Sequence, residues 1–204
     1  MSRRGRRIRD KWRMKGWYTI YSPPYFGGVA IGPTPADEAN KLLGRVIDAT
    51  LYDITGDFSQ QHLKLHFQVT DVKGNRLETI FKGHEYSRDY LRSLVRRGST
   101  RIDHIRNVTT KDGYTLRLSV VVFSIVRGKT SQMKAVRAVA HRILDEKAAS
   151  LNFDQFVQEA VLGKIASDIY NEAKRIIPIR HIGVRKSKLI AYPSERVEEL
   201  EVTV

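Results

Sequence analysis

The stretch His62-Leu-Lys-Leu-His-Phe-Gln-Val-Thr-Asp-Val72 alternates apolar and polar side chains without a break from Leu63 to Val69. Leu63, Leu65, Phe67 and Val69 share one face, and His62, Lys64, His66 and Gln68 share the other. That is the period of a half-buried strand. Lys73-Gly-Asn75 follows as a tight-turn signal, and Arg76 to Lys82 returns as the partner strand. Upstream, Trp17-Tyr-Thr-Ile-Tyr21 and Leu43 to Ile54, rich in Val, Ile, Thr and Tyr, read as further strands. Between them, Ser22-Pro-Pro-Tyr-Phe-Gly-Gly28 and Ile31-Gly-Pro-Thr-Pro35 read as loop from their Pro and Gly content. Downstream, Ser87 caps a short helix through Arg97, with Tyr90, Leu91, Leu94 and Val95 on its apolar face and Gly98 as its stop. Arg101 to Thr109, the turn Lys111-Asp112-Gly113 and Tyr114 to Val126 form a second hairpin.

The period then changes. Met133, Val136, Val139, Ala140, Ile143 and Leu144 recur at three and four, the spacing of an amphipathic helix. Phe153, Phe156, Val157 and Ala160 mark a second helix, with Asn152 as its N-cap and Gly163 near its end. Ile165, Ile169, Ala173 and Ile176 mark a third, stopped by Pro178, and Ile179 to Tyr192 is extended. Strands followed by helices predict an α+β fold. The expected architecture is a curled antiparallel sheet or barrel with an inserted short helix, then helices and a final strand. Three regions are expected: a basic arm over 1–16, one globular domain over 17–193 and an acidic tail over 194–204. The tail holds Glu195, Glu198, Glu199 and Glu201 against Arg196.

Charge points to the partner. Thirty-six Lys and Arg against 22 Asp and Glu give a formal +14, and like charge on that scale repels itself in a compact state. A polyanion that releases counterions on contact accounts for keeping it. Acidic membrane surfaces and acidic proteins are the other candidates, but no basic amphipathic helix with a bulky apolar face and no lipidation motif occurs. Half of the charge is concentrated near the start. Arg3, Arg4, Arg6, Arg7, Arg9, Lys11, Arg13 and Lys15 are opposed only by Asp10. Such a segment cannot pack a core and reads as an arm that folds along RNA phosphates. Trp12, Trp17 and Tyr18 interleave with it, and aromatic faces stack on unpaired bases. Trp17 and Tyr18 read equally well as the first core residues. Two later stretches carry Arg127, Lys129, Lys134, Arg137 and Arg142, and Lys174, Arg175, Arg180, Arg185, Lys186 and Lys188. Solvated faces normally mix signs, so unmixed basic runs favour phosphate contact.

Catalytic readings fare worse. Zero cysteines exclude disulfides, thiolate zinc sites and cysteine nucleophiles. Gly128-Lys129-Thr130 lies where a phosphate-binding loop would, but Phe123 replaces the glycine required five positions earlier. What survives is a helix start, capped by Thr130 or Ser131 with Lys129 beside it, suited to a backbone phosphate. His62 and His66 on a strand stand roughly 13 Å apart, too far to share a metal ion. His84, His104, His141 and His181 are scattered, with no Ser or acid placed beside any of them by the sequence. Asp53 and Asp57 flank a turn and read as caps of backbone amides. No enzyme, cofactor or metal site is expected. No stretch approaches the ~18 apolar residues of a membrane span. The bare Arg run at the start is no secretory signal, so a cytoplasmic protein is the economical reading.

Several motifs occur in register. Thr110-Lys-Asp-Gly-Tyr-Thr-Leu-Arg117, Gly128-Lys-Thr-Ser131, Val136-Arg137 and Val184-Arg-Lys-Ser-Lys188 resemble, in order, the archaeal and eukaryotic small-subunit ribosomal protein family called S-three-a-e, the S-one-e class. Lys15-Gly-Trp-Tyr18 and the helix ending over 165–178 are similar too, so the resemblance runs from about Lys11 to Tyr192. The compact length and short tail resemble archaeal members. The resemblance implies a structural, ribosome-bound constituent of the small subunit. Its place would be on the platform near the mRNA exit, bound to rRNA and neighbouring ribosomal proteins and supporting assembly. It also implies that Lys129, Arg137, Arg185, Lys186 and Lys188 face RNA, whereas Asp112 and Gly113 serve the turn. The chain departs at Gly128 and Gln132, where the family pattern leads one to expect Arg and Tyr.

Overall fold

Alternation and turn chemistry build the sheet, and the change to helical period builds the layer that covers it. The computed structural model describes residues 12–193. Its strands are β1 (Gly16–Tyr21), β2 (Ala30–Ala36), β3 (Val46–Thr50), β4 (Leu63–Lys73), β5 (Arg76–Tyr86), β6 (Arg101–Thr109), β7 (Thr115–Ser124) and β8 (Ile179–Ala191). Its helices are α1 (Leu51–Thr55), α2 (Arg88–Leu94), α3 (Thr130–Ser150), α4 (Phe153–Val161) and α5 (Lys164–Ala173). The α+β expectation holds, with α2 as the inserted helix and β8 as the final strand. The sheet is open: β6 ends it on one side, and β2 and β3 end it on the other.

The order β2-β1-β5-β8-β7-β6 places the last strand in the middle. Along one edge β5 pairs with β4 over its whole length, and β4 carries β3. Its other edge is shared. Arg76 and Leu77 pair with β1 in parallel, whereas Gly83, His84 and Glu85 pair with Lys188, Ser187 and Lys186 of β8. Helices α3, α4 and α5 bury Ala140, Leu144, Phe156, Val157, Ile165 and Ile169 against Leu116, Leu118, Val120 and Val122 of β7. A smaller core under β1 and β2 gathers Ile20, Ala36, Leu42, Val69 and Leu77.

Several local readings change. The Pro-rich segment at 30–36, expected as loop, is the edge strand β2, with Thr19 opposite Pro33 and Trp17 opposite Pro35. An edge tolerates Pro because a missing N–H there breaks no second ladder. The strand expected over 43–54 is only Val46–Thr50. At Thr50 a capping box takes over, its hydroxyl accepting from the Asp53 amide and the Asp53 carboxylate accepting from the Thr50 amide at 2.8 Å. Asp57 likewise accepts from the Ser59 amide at 3.0 Å, so both acids cap as expected. Helix α2 stops at Leu94, three residues early, because Val95 turns extended. The expected side-chain cap of α3 by Thr130 or Ser131 is not formed. Lys129 holds the N-cap position, and its amide donates to Gln132 Oε1 at 3.0 Å. At α4, Asn152 sits at the cap without using its side chain, and the Phe153 amide donates instead to the Asp112 carboxylate at 2.9 Å. Asp112 therefore ties the β6–β7 turn to a helix as well as shaping the turn.

The β5–β8 seam is unusually close. A Cβ on Gly83 would stand 2.3 Å from the Ser187 carbonyl oxygen, and one on Gly183 would stand 2.0 Å from the Tyr86 hydroxyl. Beside them His84 is fully buried. Its Nε2 lies 2.9 Å from the Val184 carbonyl, which can only accept, so Nε2 carries the proton. Nδ1 then accepts from the Ser187 hydroxyl at 2.6 Å, and that hydroxyl accepts from the His84 amide at 3.0 Å. The expectation that no serine or acid stands beside a histidine is thus corrected, because partners 103 residues apart meet only through the sheet. Asp48 also meets His66, and Asp145 meets His141 at 3.3 Å.

The seam has two measurable consequences. Ser187→Ala leaves two buried polar atoms of His84 without a partner and is expected to lower unfolding stability by about 1–3 kcal/mol in urea titration. A loss below ~0.5 kcal/mol, the size of an ordinary surface change, would contradict that role. Burial pushes the His84 imidazole down to about 4, against 6.5 for the exposed group. The unfolded chain then binds a proton in this window that the folded chain does not. Stability is full above pH 6.5 and falls by roughly 3 kcal/mol as the pH drops towards 4. The difference between wild type and His84→Gln across that window isolates the effect, and parallel pH profiles would refute it.

Candidate nucleic-acid interface

Three loops meet at one end of the sheet: residues 95–100 between α2 and β6, 125–129 between β7 and α3, and 174–178 between α5 and β8. Thr100 and Ser124 exchange hydrogen bonds. The Thr100 amide donates to Ser124 Oγ at 2.8 Å, and the Ser124 amide donates to the Thr100 carbonyl at 3.0 Å. The Gly128 amide donates to Thr100 Oγ1 at 2.9 Å, and the Ile125 amide to the Pro178 carbonyl at 2.9 Å. Gln132 completes the tie, its Nε2 donating to the Ile176 carbonyl at 3.3 Å. Both departures from the family pattern are explained here. A Cβ on Gly128 would press on Ile177 Cδ1 at 2.9 Å, and Gln132 staples α3 to the neighbouring loop.

These loops carry Arg96, Arg97, Arg127, Lys129, Lys174 and Arg175, all exposed or nearly so, and no Asp or Glu. Lys134 on α3 and Arg180 on β8 extend the cluster. Among the described residues, Arg96, Arg97, Arg127, Lys129, Lys134, Arg175 and Arg180 form no ion pair; Glu172 and Asp168 on α5 are engaged by other cations, Arg142 and Lys147. Val95, Ile125 and Val126 stand about half exposed among the cations. The apolar period assigns Arg96 and Arg97 to a helix, and only the early stop of α2 releases them to the loop.

The other expected contacts fall elsewhere. Arg137 is half-buried and donates from Nε to the Asp103 carbonyl at 3.1 Å, holding α3 on β6. Lys186 and Lys188 lie on the sheet face away from the helices, with Arg117 opposite Lys188. Lys186 pairs with Glu85 at 2.9 Å, and that hydrogen bond holds the Glu85 carboxyl below the usual carboxylate range. Arg185 sits half-buried where the β7–β8 register shifts. The expected basic positions therefore divide into a loop-end group and a sheet-face group. Of the arm, Arg3, Arg4, Arg6, Arg7, Arg9 and Lys11 lie outside the described residues, as does the acidic tail. Arg13 is exposed, Lys15 stands over the Trp12 ring at 4.6 Å, and Trp17 is 58% exposed. Tyr18, not Trp17, packs against the smaller core.

His84 and Ser187 are sealed from solvent. Among the described residues, no three His, Asp or Glu side chains are placed to hold a metal ion. No described helix is long and apolar enough to cross a membrane.

The chain's relatives agree with the charge. Residues 3–193 match the Ribosomal S3Ae family. The chain is 49% identical over 193 residues to a "Small ribosomal subunit protein eS1" of Staphylothermus marinus, covering 95% of this chain and 91% of that one. It is 50% identical over 187 residues to a protein of that name from Desulfurococcus amylolyticus, covering 92% and 88%. It is also 49% identical over 195 residues to one from Archaeoglobus fulgidus, covering 95% and 92%. The chain therefore belongs to the ribosomal S3Ae family, a family of structural ribosomal components and not of enzymes.

Proposed function

We propose that the protein is a cytoplasmic structural constituent of the small ribosomal subunit that binds rRNA on the platform near the mRNA exit and supports subunit assembly. The observation that carries the RNA reading is the loop end, where cations from three separated chain segments stand exposed with no acidic partner among the described residues. Leaving like charges together costs free energy, and phosphate neutralises them with release of condensed counterions. The N-terminal arm would add its cations to the same polyanion. The loops are tied to rigid elements by hydrogen bonds, so the phosphate contacts would be held in a fixed pattern. The platform position near the mRNA path rests on the family resemblance, and neighbouring ribosomal proteins are the partners it implies. Lys186, Lys188 and Arg117 on the outward sheet face offer a second, smaller basic surface.

Sucrose-gradient sedimentation of a lysate containing the tagged chain tests the assembly. The chain should travel with the small-subunit peak at low and high salt, and a chain running free at the top would remove the structural role. Substituting Arg96, Arg97, Arg127 and Lys129 by Gln should leave thermal stability within a degree-scale shift, since all four lie on the surface in loops. It should reduce the salt slope of binding to a duplex RNA by up to about 0.9 for each phosphate no longer neutralised. An unchanged slope in a filter-binding titration would take these loops out of the interface.

A further inference from the structure

Beside the loop end lies a cleft of about 660 Å³, inside the ~300–1,000 Å³ range of small-ligand pockets. Its walls come from α5, from the segment leading into β4, from α2 and from the start of β8. Five of its lining side chains carry aromatic rings. His62 lies beside Tyr90 with ring centres 4.0 Å apart and planes tilted by 31°. Tyr86 and His181 meet Tyr90 edge-on at 5.4 and 5.9 Å, and Tyr170 of α5 is 39% exposed. His181 Nε2 is buried and has no hydrogen-bond partner among the described residues. Desolvation lowers the imidazoles of His62 and His181 below their usual value, so both are neutral near pH 7; His62 Nδ1 donates to the Ser59 carbonyl at 3.0 Å, which leaves its Nε2 as an acceptor. The carboxylate at the rim, Asp57, is already engaged by Ser59 and Gln60.

The cations place this cleft on the path of a polyanion. Arg180 lines it and forms no ion pair among the described residues, and it lies two positions after the loop residue Pro178. Lys174 of the same loop stands 5.6 Å from the centre of the Tyr170 ring. Flat rings, a neutral imidazole and an adjacent row of cations are the set that recognises an unstacked base with its phosphate. We propose that the cleft takes one unpaired nucleobase from the RNA held on the loop end, with the base against the Tyr90 and Tyr170 rings and its phosphate at Arg180. This inference rests on the RNA reading above and adds that recognition there includes an extruded base as well as backbone charge.

The test compares two RNAs with the full chain at one salt concentration: a fully paired hairpin, and the same hairpin carrying a single bulged 2-aminopurine. Wild type is expected to bind the bulged RNA about tenfold more tightly, in keeping with the stacking of one base on aromatic side chains. Its 2-aminopurine emission should be quenched on binding. Tyr170→Ala, at an exposed position, should lose the preference and the quench while binding the paired hairpin as wild type does. Tyr90→Ala should do the same, with thermal denaturation as its folding control. Equal affinity of wild type for both RNAs, or a preference that survives Tyr170→Ala, overturns the base site and leaves the RNA reading standing. Failure to bind either RNA at low salt overturns the RNA reading and the base site with it.

Discussion

The structure depends on the three-residue ladder between β5 and β8. Without it the sheet would be two pieces: β1 to β5 on one side, and β6, β7 and β8 on the other. The ladder is short, so its chemistry has to be specific. Gly83 brings the two backbones closer than any side chain would permit, and Gly183 makes room for the Tyr86 hydroxyl. Between these two points the Ser187 hydroxyl accepts from the His84 amide and donates to Nδ1 of the neutral imidazole, whose Nε2 donates to the Val184 carbonyl. Because His84 is fully buried, an unmatched atom there would cost its whole desolvation penalty. The seam is therefore demanding as well as stabilising.

That join fixes where the charge goes. With β8 inserted beside β7, the loop preceding β8 lies against the loop following β7, as the hydrogen bond from the Ile125 amide to the Pro178 carbonyl records. Thr100 brings in the third loop through both its backbone and its hydroxyl. Residues near 96, 127 and 175 are far apart along the chain and become one surface through these ties. Repulsion among their cations works against folding, and the hydrogen bonds and core beneath them offset it. Such a pre-set cluster suits a partner whose charges are also regularly spaced, as RNA phosphates are.

Much of this was legible in the residues, and the remainder was hidden for identifiable reasons. The unbroken alternation of Leu63 to Val69 and the glycine turn after it gave β4 and β5, and the three-four spacing gave α3 to α5. β2 was hidden because Pro33 and Pro35 signal loop, and nothing local says that a segment lies on an edge. α1 was hidden because Thr and Ile favour strands, while the Thr50–Asp53 box that starts the helix is a two-residue feature. The cap of α4 by Asp112 spans 41 residues, beyond the reach of any local pattern. Of the basic surfaces, runs of one sign pointed to Lys129 and Lys134 at the loop end and to the 185–188 group on the sheet face. Arg96 and Arg97 were masked by the apolar period of α2, and Arg137 looked like a phosphate ligand although its Nε holds the fold together.

The run Val184-Arg-Lys-Ser-Lys188 shows how one strand can serve both the core and the surface. A regular strand places residues of equal parity on one face. Val184 is buried, so an unbroken β8 would carry Lys186 and Lys188 inward and turn Ser187 out. That arrangement would bury two ammonium groups and leave His84 without its hydroxyl. The register shift at Arg185, where Val120 pairs with Val184 but Ser119 pairs with Lys186, inserts one residue and reverses the parity. Ser187 and Leu189 then point to the core, and both lysines point to solvent. The same device acts at Arg180, where Phe123 pairs with His181 and Ser124 with Ile179, so that Ile179 and Ile182 are both buried and Arg180 is exposed. At these two shifts the extra residue is an arginine, whose long side chain can reach solvent from a crowded backbone, whereas a third shift leaves Ile190 as the extra residue. The bulges let a strand in the middle of the sheet seal the core while keeping cations on the surface.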